Sequence, residues 1–541
     1  MAPDPRSVDM SSDARLNPRE TPLVFLVALA CLAVPVALVR WPPLLDYPNH
    51  YARMWLISGG ANISPLSEMY QVTWQKASTD LGIDIVAAVF GHIFPFEWIA
   101  HSLVVAALIL PPLGAACLNR SLFGGAHWWQ VAFVLLAWNT TLAAGFLNFH
   151  IGLGLALLGC AIDPVLARKT WAGPLGRIGI GSTLLIIHAM AFAFYVTLIA
   201  AVTLGPKLGP LKSAGGLRDG IRRAAITCLP ILVPLALFLL FAPKLPGSKS
   251  WAGPAVAWQH ARNAGQAMAT AFLTYRFTVD ALFAGVLVLP VLLGALTRRI
   301  ETHAGLLLMA GLFAILSNFM PREIGYTGWI DKRLPPMAVL MFVASVRPTI
   351  PSTVGWQRAA LALTFLAATA RTAWVSRIWI ARQADFASVE RALEQVPSGA
   401  AVLPLEHLPS AQDMKQAPLG RYLLRGYPNY GNVAALAIVE RHAFIPTLFT
   451  AAGKHPIRVL PPWDEIAVAE GSIASVDQLA DPQAIPLFPY LAHWRDRFDF
   501  LLVVCADLPN ERGPLPSLPG LRLVSDQSFA KLYRIEKPGT P

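Results

Sequence analysis

Charge is scarce in this chain. Asp, Glu, Lys and Arg make up 14% of its 541 residues, while 55% are hydrophobic; an ordinary soluble domain has about a quarter of its residues charged. Cysteine is also sparse. Cys31, Cys117, Cys160 and Cys228 lie inside apolar runs and Cys505 sits in "FDFLLVVCAD", so neither a disulfide framework nor a zinc site is expected. A Walker-type phosphate loop and a paired-glycine dinucleotide fingerprint after a strand are both missing, which argues against a self-contained nucleotide-driven pump. The loop Arg299, Ile300, Glu301, Thr302, His303 holds no hydrolase motif. The formal net charge of +11 does not point to nucleic acid as a partner. Its Lys and Arg residues are scattered at the ends of apolar segments rather than gathered on one face.

What the chain does have is long apolar runs and a mean hydropathy of +0.51. Runs compatible with membrane spans fall near 22–40, 81–95, 97–118, 129–146, 149–163, 178–204, 224–243, 277–297, 302–320, 334–346 and 356–378. The expected fold is therefore a mostly α polytopic membrane protein of about 11 transmembrane helices with a C-terminal extracytoplasmic α/β domain. The first run, 23–39, has no small-residue cleavage pattern after it and reads as a retained signal anchor. With the N-terminus inside, Lys207, Lys212, Arg218, Arg222 and Arg223 fall on the cytoplasmic side, as do Arg298, Arg299, Arg347 and Arg358, in keeping with the cytoplasmic excess of basic residues. The loop with Arg168, Lys169 and Arg177 falls outside and is the exception. An odd span count sends the C-terminus outside, into the bacterial periplasm.

After residue 382 the composition becomes that of a soluble domain. "ADFASVERALEQVPSGAAVLPL" reads as helix, turn and strand, and "FDFLLVVCADLP" and "LRLVSDQSFAKLYRIE" read as further strands. The organisation expected is a disordered cytoplasmic tail at 1–21, a transmembrane domain at 22–382 with a catalytic first external loop at 41–80, and a periplasmic α/β domain at 383–541.

The residues that carry chemistry cluster in "LLDYPNHYARMW", directly after the first apolar run. Asp46, Asn49, His50 and Arg53 stand at i, i+3, i+4 and i+7, one face of a helix that can begin at Pro48. Tyr51, Met54 and Trp55 turn the other way. Asp46 could be an N-cap; as a carboxylate at the edge of the bilayer it could equally serve as a general base, with His50 and Arg53 orienting it or holding an anion. In "MPREIGYTGWIDKRLPP", Arg322, Lys332 and Arg333 suit a phosphate, although Lys332 and Arg333 would also anchor a helix at the interface. Asp80 and Asp84 open the second run, where they either face the same cavity or cap the helix. His188 in "LLIIHAMAFAF" reads as a satisfied mid-span histidine.

This order of parts resembles the GT-C superfamily of integral membrane glycosyltransferases. An N-terminal span is followed at once by an acidic residue and an amphipathic helix in an external loop, then many spans, then an external α/β domain. "DYPNHYARMW" looks like the acidic motif and "xxYAxxAxxM" pattern of the protein mannosyltransferase and aminoarabinose transferase branch, with Asp46, Tyr51, Ala52 and Met54 as the matching positions. Asp46-Tyr47 stands where many relatives have Asp-Glu. The resemblance implies a hexosyl or pentosyl transferase that moves a sugar from a polyprenyl-phosphate or diphosphate donor to a glycan, lipid or protein acceptor outside the inner membrane. Asp46 and His50 would then be catalytic, and Asn49, Arg53, Asp84, Arg322, Lys332 and Arg333 would bind substrate. No metal ligand set is expected and the cofactor is unknown, a divalent cation remaining open. Membrane lipids are expected partners. The alternative is a polytopic transporter or lipid-handling protein that uses the same polar face as a pathway, and the absence of two related halves counts against it.

Overall fold

A computed structural model describes residues 19–205, 214–241, 256–258, 264–324, 327–349, 353–423, 426–470, 473–508 and 520–537. Most of the expected disordered tail lies outside them, as do Lys207 and Lys212; helix begins at Glu20. Among the described residues six helices are long and apolar enough to cross a membrane, Glu20–Ala37, Phe96–Phe123, Leu147–Leu166, Gly215–Phe241, Phe277–Leu296 and Val354–Leu393, and three shorter apolar ones join them. They form a bundle with two distinct ends. At one end Arg347 donates to the carbonyls of Phe123 and Gly124 and pairs with Glu301, while Arg358 pairs with Glu20. At the other, Arg40 pairs with Glu390 and Glu440, and the amides of Leu45 and Asp46 bond the carbonyls of Ala143 and Ala144.

Three expected spans differ from what is seen. The run 81–95 does not pass between the ends. Its helix, Gly82–Phe90, covers nine residues, roughly 14 Å of rise against a hydrocarbon core of about 30 Å. Both its flanks sit at the Asp46 end: Leu81 bonds the carbonyl of Ile186, and a Cβ at Gly91 would strike Ser58. The run 178–204, expected as one span, is two helices, Ala172–Ile187 and Ala189–Leu204, that meet at His188. They fold back on each other, so that a Cβ on Gly181 would lie 3.4 Å from the Phe192 ring. As a result the loop with Arg168 and Lys169 belongs to the same end as Arg347 and Arg358, and the exception in the distribution of basic residues disappears.

The run 129–146 does not form one helix either. It is built of short pieces, Trp129–Ala132, Phe133–Ala137 and Thr140–Ala143. Breaks of this kind free backbone carbonyls that lipid cannot satisfy. Arg371, 1% exposed, donates to the carbonyls of Leu135, Trp138 and Phe272 and pairs with Asp280 at 3.2 Å.

The 40-residue helix Val354–Leu393 carries the chain out of the bundle, so the expected boundary at 382 falls inside continuous helix. No glycine or proline interrupts it after Gly355, and its last turns bury Phe386, Val389 and Leu393. The C-terminal domain contains a five-stranded sheet in the order Ala474–Ser475, Val402–Glu406, Phe500–Val504, Ala530–Ile535, Leu521–Asp526. The first three strands are parallel and the last two form an antiparallel hairpin. Val402–Glu406 and Phe500–Val504 are buried along their whole length, which is why Phe500–Val504, and Val402–Glu406 up to its final glutamate, read as apolar runs rather than alternating ones. The loop 41–80 belongs to the same body, because Tyr70–Val72 pairs antiparallel with Ile457–Val459.

Removing one partner of a buried ion pair strands the other. Arg371→Leu is therefore expected to destabilise the protein by about 3–5 kcal/mol, seen as a large loss of melting temperature in detergent. An unchanged melting curve would show that the carbonyls around the break are satisfied otherwise.

Candidate active site

Asp46 occupies the N-cap position of helix Tyr47–Ile57, yet its side chain caps nothing. Its Oδ1 instead accepts from Asn432 Nδ2 at 3.0 Å, a bond from the C-terminal domain. The backbone here is held close to the bundle. Gly145 has φ +87°, and a Cβ on it would stand 2.9 Å from the Asp46 nitrogen, so only glycine fits without displacing the residue.

A cavity of about 340 Å³ opens at this junction. Asp46, His50 and Asp80 line it from the first loop; Asn148, His188, Arg322 and Arg333 line it from the bundle; Tyr427, Lys454, His455 and Glu470 line it from the C-terminal domain. Four of the residues proposed from sequence thus meet in one place: Asp46, His50, Arg322 and Arg333. Arg322 lies beside Glu323 at 3.2 Å and over the Tyr427 ring at 5.9 Å.

The other four do not line the cavity, and each has a structural partner that explains why. Arg53 forms a bidentate pair with Asp84, at 2.9 and 3.1 Å, with both side chains fully buried. This pair fixes helix Tyr47–Ile57 to helix Gly82–Phe90, so neither residue is presented to a substrate and Asp84 is not a cap. Asn49 Nδ2 donates to the Thr447 carbonyl at 2.8 Å and its Oδ1 accepts from the Phe449 amide at 2.8 Å, which ties the helix to the C-terminal domain. Lys332 lies over the rings of Trp329 and Tyr427 at 4.5 and 4.9 Å and donates to the Tyr427 hydroxyl. The single polar face expected on the helix therefore divides: Asp46 and His50 look into the cavity, and Asn49 and Arg53 hold the frame.

Burial dominates the electrostatics. It raises the Asp46 carboxyl to about 7, with Glu470 and Asp80 adding to the rise and Arg333 and Arg53 opposing it. Burial, with help from Arg53, keeps His50 well below the usual histidine range, and burial with Arg53, Lys454 and His50 does the same to His455. Both imidazoles are neutral near pH 7. Burial also raises Glu470 against the pull of Lys454, which donates to it at 2.8 Å. One carboxyl that titrates near neutrality, among neutral imidazoles and with cations on the facing walls, can take a proton from a hydroxyl and accommodate an anion beside it.

Asp80, read from sequence as facing the cavity or capping a helix, lines the cavity, whereas His188, Lys454, His455 and Glu470 were not among the site residues proposed from sequence. Lys454, His455 and Glu470 lie some 400 positions from Asp46 in irregular segments with no spacing signature. His188 was placed within a span because the fold-back that exposes it to the cavity has no glycine or proline to mark it.

In comparison with solved structures, the chain is similar to the crystal structure of ArnT from Cupriavidus metallidurans in the apo state, with 12% identity, a TM-score of 0.47, and coverage of 95% of this chain and 97% of that one. No family model matches, and no curated protein matches.

The Arg53–Asp84 pair generates a test of its own. Arg53→Leu alone is expected to cost about 3–5 kcal/mol by leaving a buried carboxylate, and Arg53→Leu with Asp84→Leu to recover part of the loss. Equal melting temperatures for the single and double variants would contradict a bridge that holds the frame.

Proposed function

We propose that the protein is a glycosyltransferase that moves a sugar from a polyprenyl-phosphate or diphosphate donor to a hydroxyl acceptor, with Asp46 as the general base. The observation that carries this reading is the shared cavity of Asp46 and Arg333 at the junction between bundle and C-terminal domain. A transfer of this kind needs a base on one side of the anomeric carbon and neutralised phosphate on the other. The acceptor hydroxyl gives its proton to Asp46 as its oxygen bonds to the anomeric carbon; the bond from that carbon to the phosphate oxygen breaks, and the prenyl phosphate leaves with its electron pair. One displacement inverts the anomeric centre. Arg333, Arg322 and Lys454 line the same cavity and would neutralise the departing charge, the rate gain coming from positioning and from that stabilisation.

The end of the bundle rich in Arg faces the cytoplasm under the rule for basic residues. The cavity and the C-terminal domain then face the opposite compartment, the periplasm for a bacterial inner-membrane protein, where a glycan, lipid or protein would be the acceptor. Phe146, Phe149 and Trp329 on the cavity wall give a prenyl chain an apolar approach.

The test is transfer by purified protein from a panel of polyprenyl-phosphate sugars into a membrane extract. Wild type is expected to transfer and Asp46→Asn to lose at least 100-fold in rate, within the range attributed to a positioned base. Transfer by wild type should fall about tenfold per pH unit below 7 as Asp46 takes up its proton. Stability runs the other way: a carboxyl whose folded value lies near 7, against 3.8 ordinarily, stabilises the fold at low pH and loses that contribution as pH rises through 7. Asp46→Asn should therefore melt higher than wild type at pH 8. Retained transfer by Asp46→Asn would remove Asp46 from the chemistry, and no transfer by wild type across the panel would favour transport.

A further inference from the structure

Asp80 holds a backbone conformation that suits glycine. Its φ is +65°, and an aspartate keeps such a turn only where its surroundings hold it. Asn148 does the holding. Its Nδ2 donates to the Asp80 carbonyl at 2.7 Å and to Oδ1 at 2.9 Å, and its own Oδ1 accepts from the Ile83 amide at 2.8 Å. One carboxylate oxygen is thereby fixed to the bundle, and the whole group is oriented with it. The side chain is 24% exposed and lines the cavity that holds Asp46.

The other oxygen, Oδ2, faces His455 Nε2 at 3.9 Å, too far for a hydrogen bond. His455 comes from the C-terminal domain, and its ring is fixed as well. Nδ1 accepts from the Ala451 amide at 3.1 Å, and the ring stacks on Phe449 at 5.7 Å. A neutral imidazole has one acceptor nitrogen and one N–H. Because a backbone amide only donates, Nδ1 is the acceptor and Nε2 carries the hydrogen. Burial, with Arg53, Lys454 and His50, keeps the ring neutral near pH 7, so the contact is not an ion pair.

An N–H and a carboxylate oxygen thus stand opposite each other, each anchored from behind, with a gap that neither closes. An alcohol suits that gap, because its oxygen accepts one hydrogen bond and donates another. Placed about 2.8 Å from both groups, it takes the Nε2 hydrogen and gives its own to Oδ2. An anionic group there would meet the Asp80 charge, and an ammonium would meet the Nε2 hydrogen. Asp46 and Arg333 line the same cavity, and the transferred ring has to lie between a base and a phosphate ligand.

We infer that Asp80 and His455 together hold one ring hydroxyl of the donor sugar, so that the pair selects donors in which that hydroxyl is free. Donors that carry hydrogen, an acyl group or a charged group at that position are discriminated against. This rests on the transfer reading given above, which supplies the sugar. It also gives the C-terminal domain a direct part in choosing the donor, through His455.

Both residues have substitutions that keep their anchors. Asp80→Asn retains an oxygen for Asn148 and tolerates positive φ, but has one acceptor oxygen instead of two. His455→Asn offers its Oδ1 to the Ala451 amide and has no N–H that reaches as far as Nε2. The probes are farnesyl-phosphate hexoses and pentoses, with farnesyl phosphate as the sugarless reference, titrated by calorimetry into full-length protein in detergent with no acceptor present. Wild type should bind its best sugar phosphate more tightly than farnesyl phosphate. Each variant should cut that ratio about tenfold, the range for a hydrogen bond that involves a charged group, and leave the farnesyl phosphate affinity and the melting temperature unchanged. The double variant should lose less than the product of the two single losses, as for groups that share one hydroxyl. Deoxy versions of the sugar should lose the same factor on wild type at one ring position, and little on either variant. Should one variant fold poorly, the other decides. An unchanged ratio in the folded variants would overturn the clamp, and a raised acceptor KM in transfer assays would then put the hydroxyl on the acceptor. Equal binding of farnesyl phosphate and its sugars by wild type would also overturn the clamp; only if wild type transfers no sugar as well does the transfer reading fall with it.

Discussion

The hydrogen bond from Asn432 to Asp46 is the point on which the site depends. It crosses from the C-terminal domain to the first loop and ends on a carboxylate that caps no helix. The backbone of Asp46 is bonded at the same time to the bundle, through the carbonyl of Ala144, across a gap that only Gly145 leaves open. Asn49 adds a second tie to the C-terminal domain through Thr447 and Phe449. Three bodies thus share one short helix, and the carboxyl at its start cannot relax toward water without breaking those ties. Preorganisation of this kind is what a positioned base requires.

Holding a carboxyl there is unfavourable to the fold, and the raised value of about 7 expresses that cost. Arg333 and Arg53 oppose it, the latter already committed to Asp84 in a fully buried pair. A similar device holds the broken helix at 133–138, where Arg371 satisfies freed carbonyls and is itself matched by Asp280. In both places a buried charge serves geometry rather than chemistry. Arg333 differs from them: it lies over the rings of Phe146 and Phe149 and its Nη1 donates to the His188 ring rather than to a carboxylate.

Much of this was legible in the sequence, and the parts that were not share a cause. Helix over "YPNHYARMW" followed from Pro48 and the polar spacing, and the strands of the C-terminal domain followed from apolar runs between turns, because both signals are local. Arg53 and Asp84 were read as substrate ligands because spacing shows which face a side chain is on and not which partner occupies that face 31 residues away. The misreading of 81–95 and 178–204 came from hydropathy, which registers apolar length and is blind to a helix that stops at nine residues or folds back at a histidine. The basic loop at Arg168 was the one sign of trouble in the sequence, since it broke the charge asymmetry that the other loops obeyed. Lys454, His455 and Glu470 had no such sign; long-range pairing between the first loop and the strand Ile457–Val459 brings them in.

The most direct measurement is a titration of Asp46 itself, by infrared difference spectra of wild type against Asp46→Asn across pH 4 to 9. A protonated carboxyl band, present in wild type and absent from the variant, should fade with a midpoint near pH 7. A midpoint near 4 would mean that the carboxylate is solvated and ordinary, and would contradict a buried base at the junction.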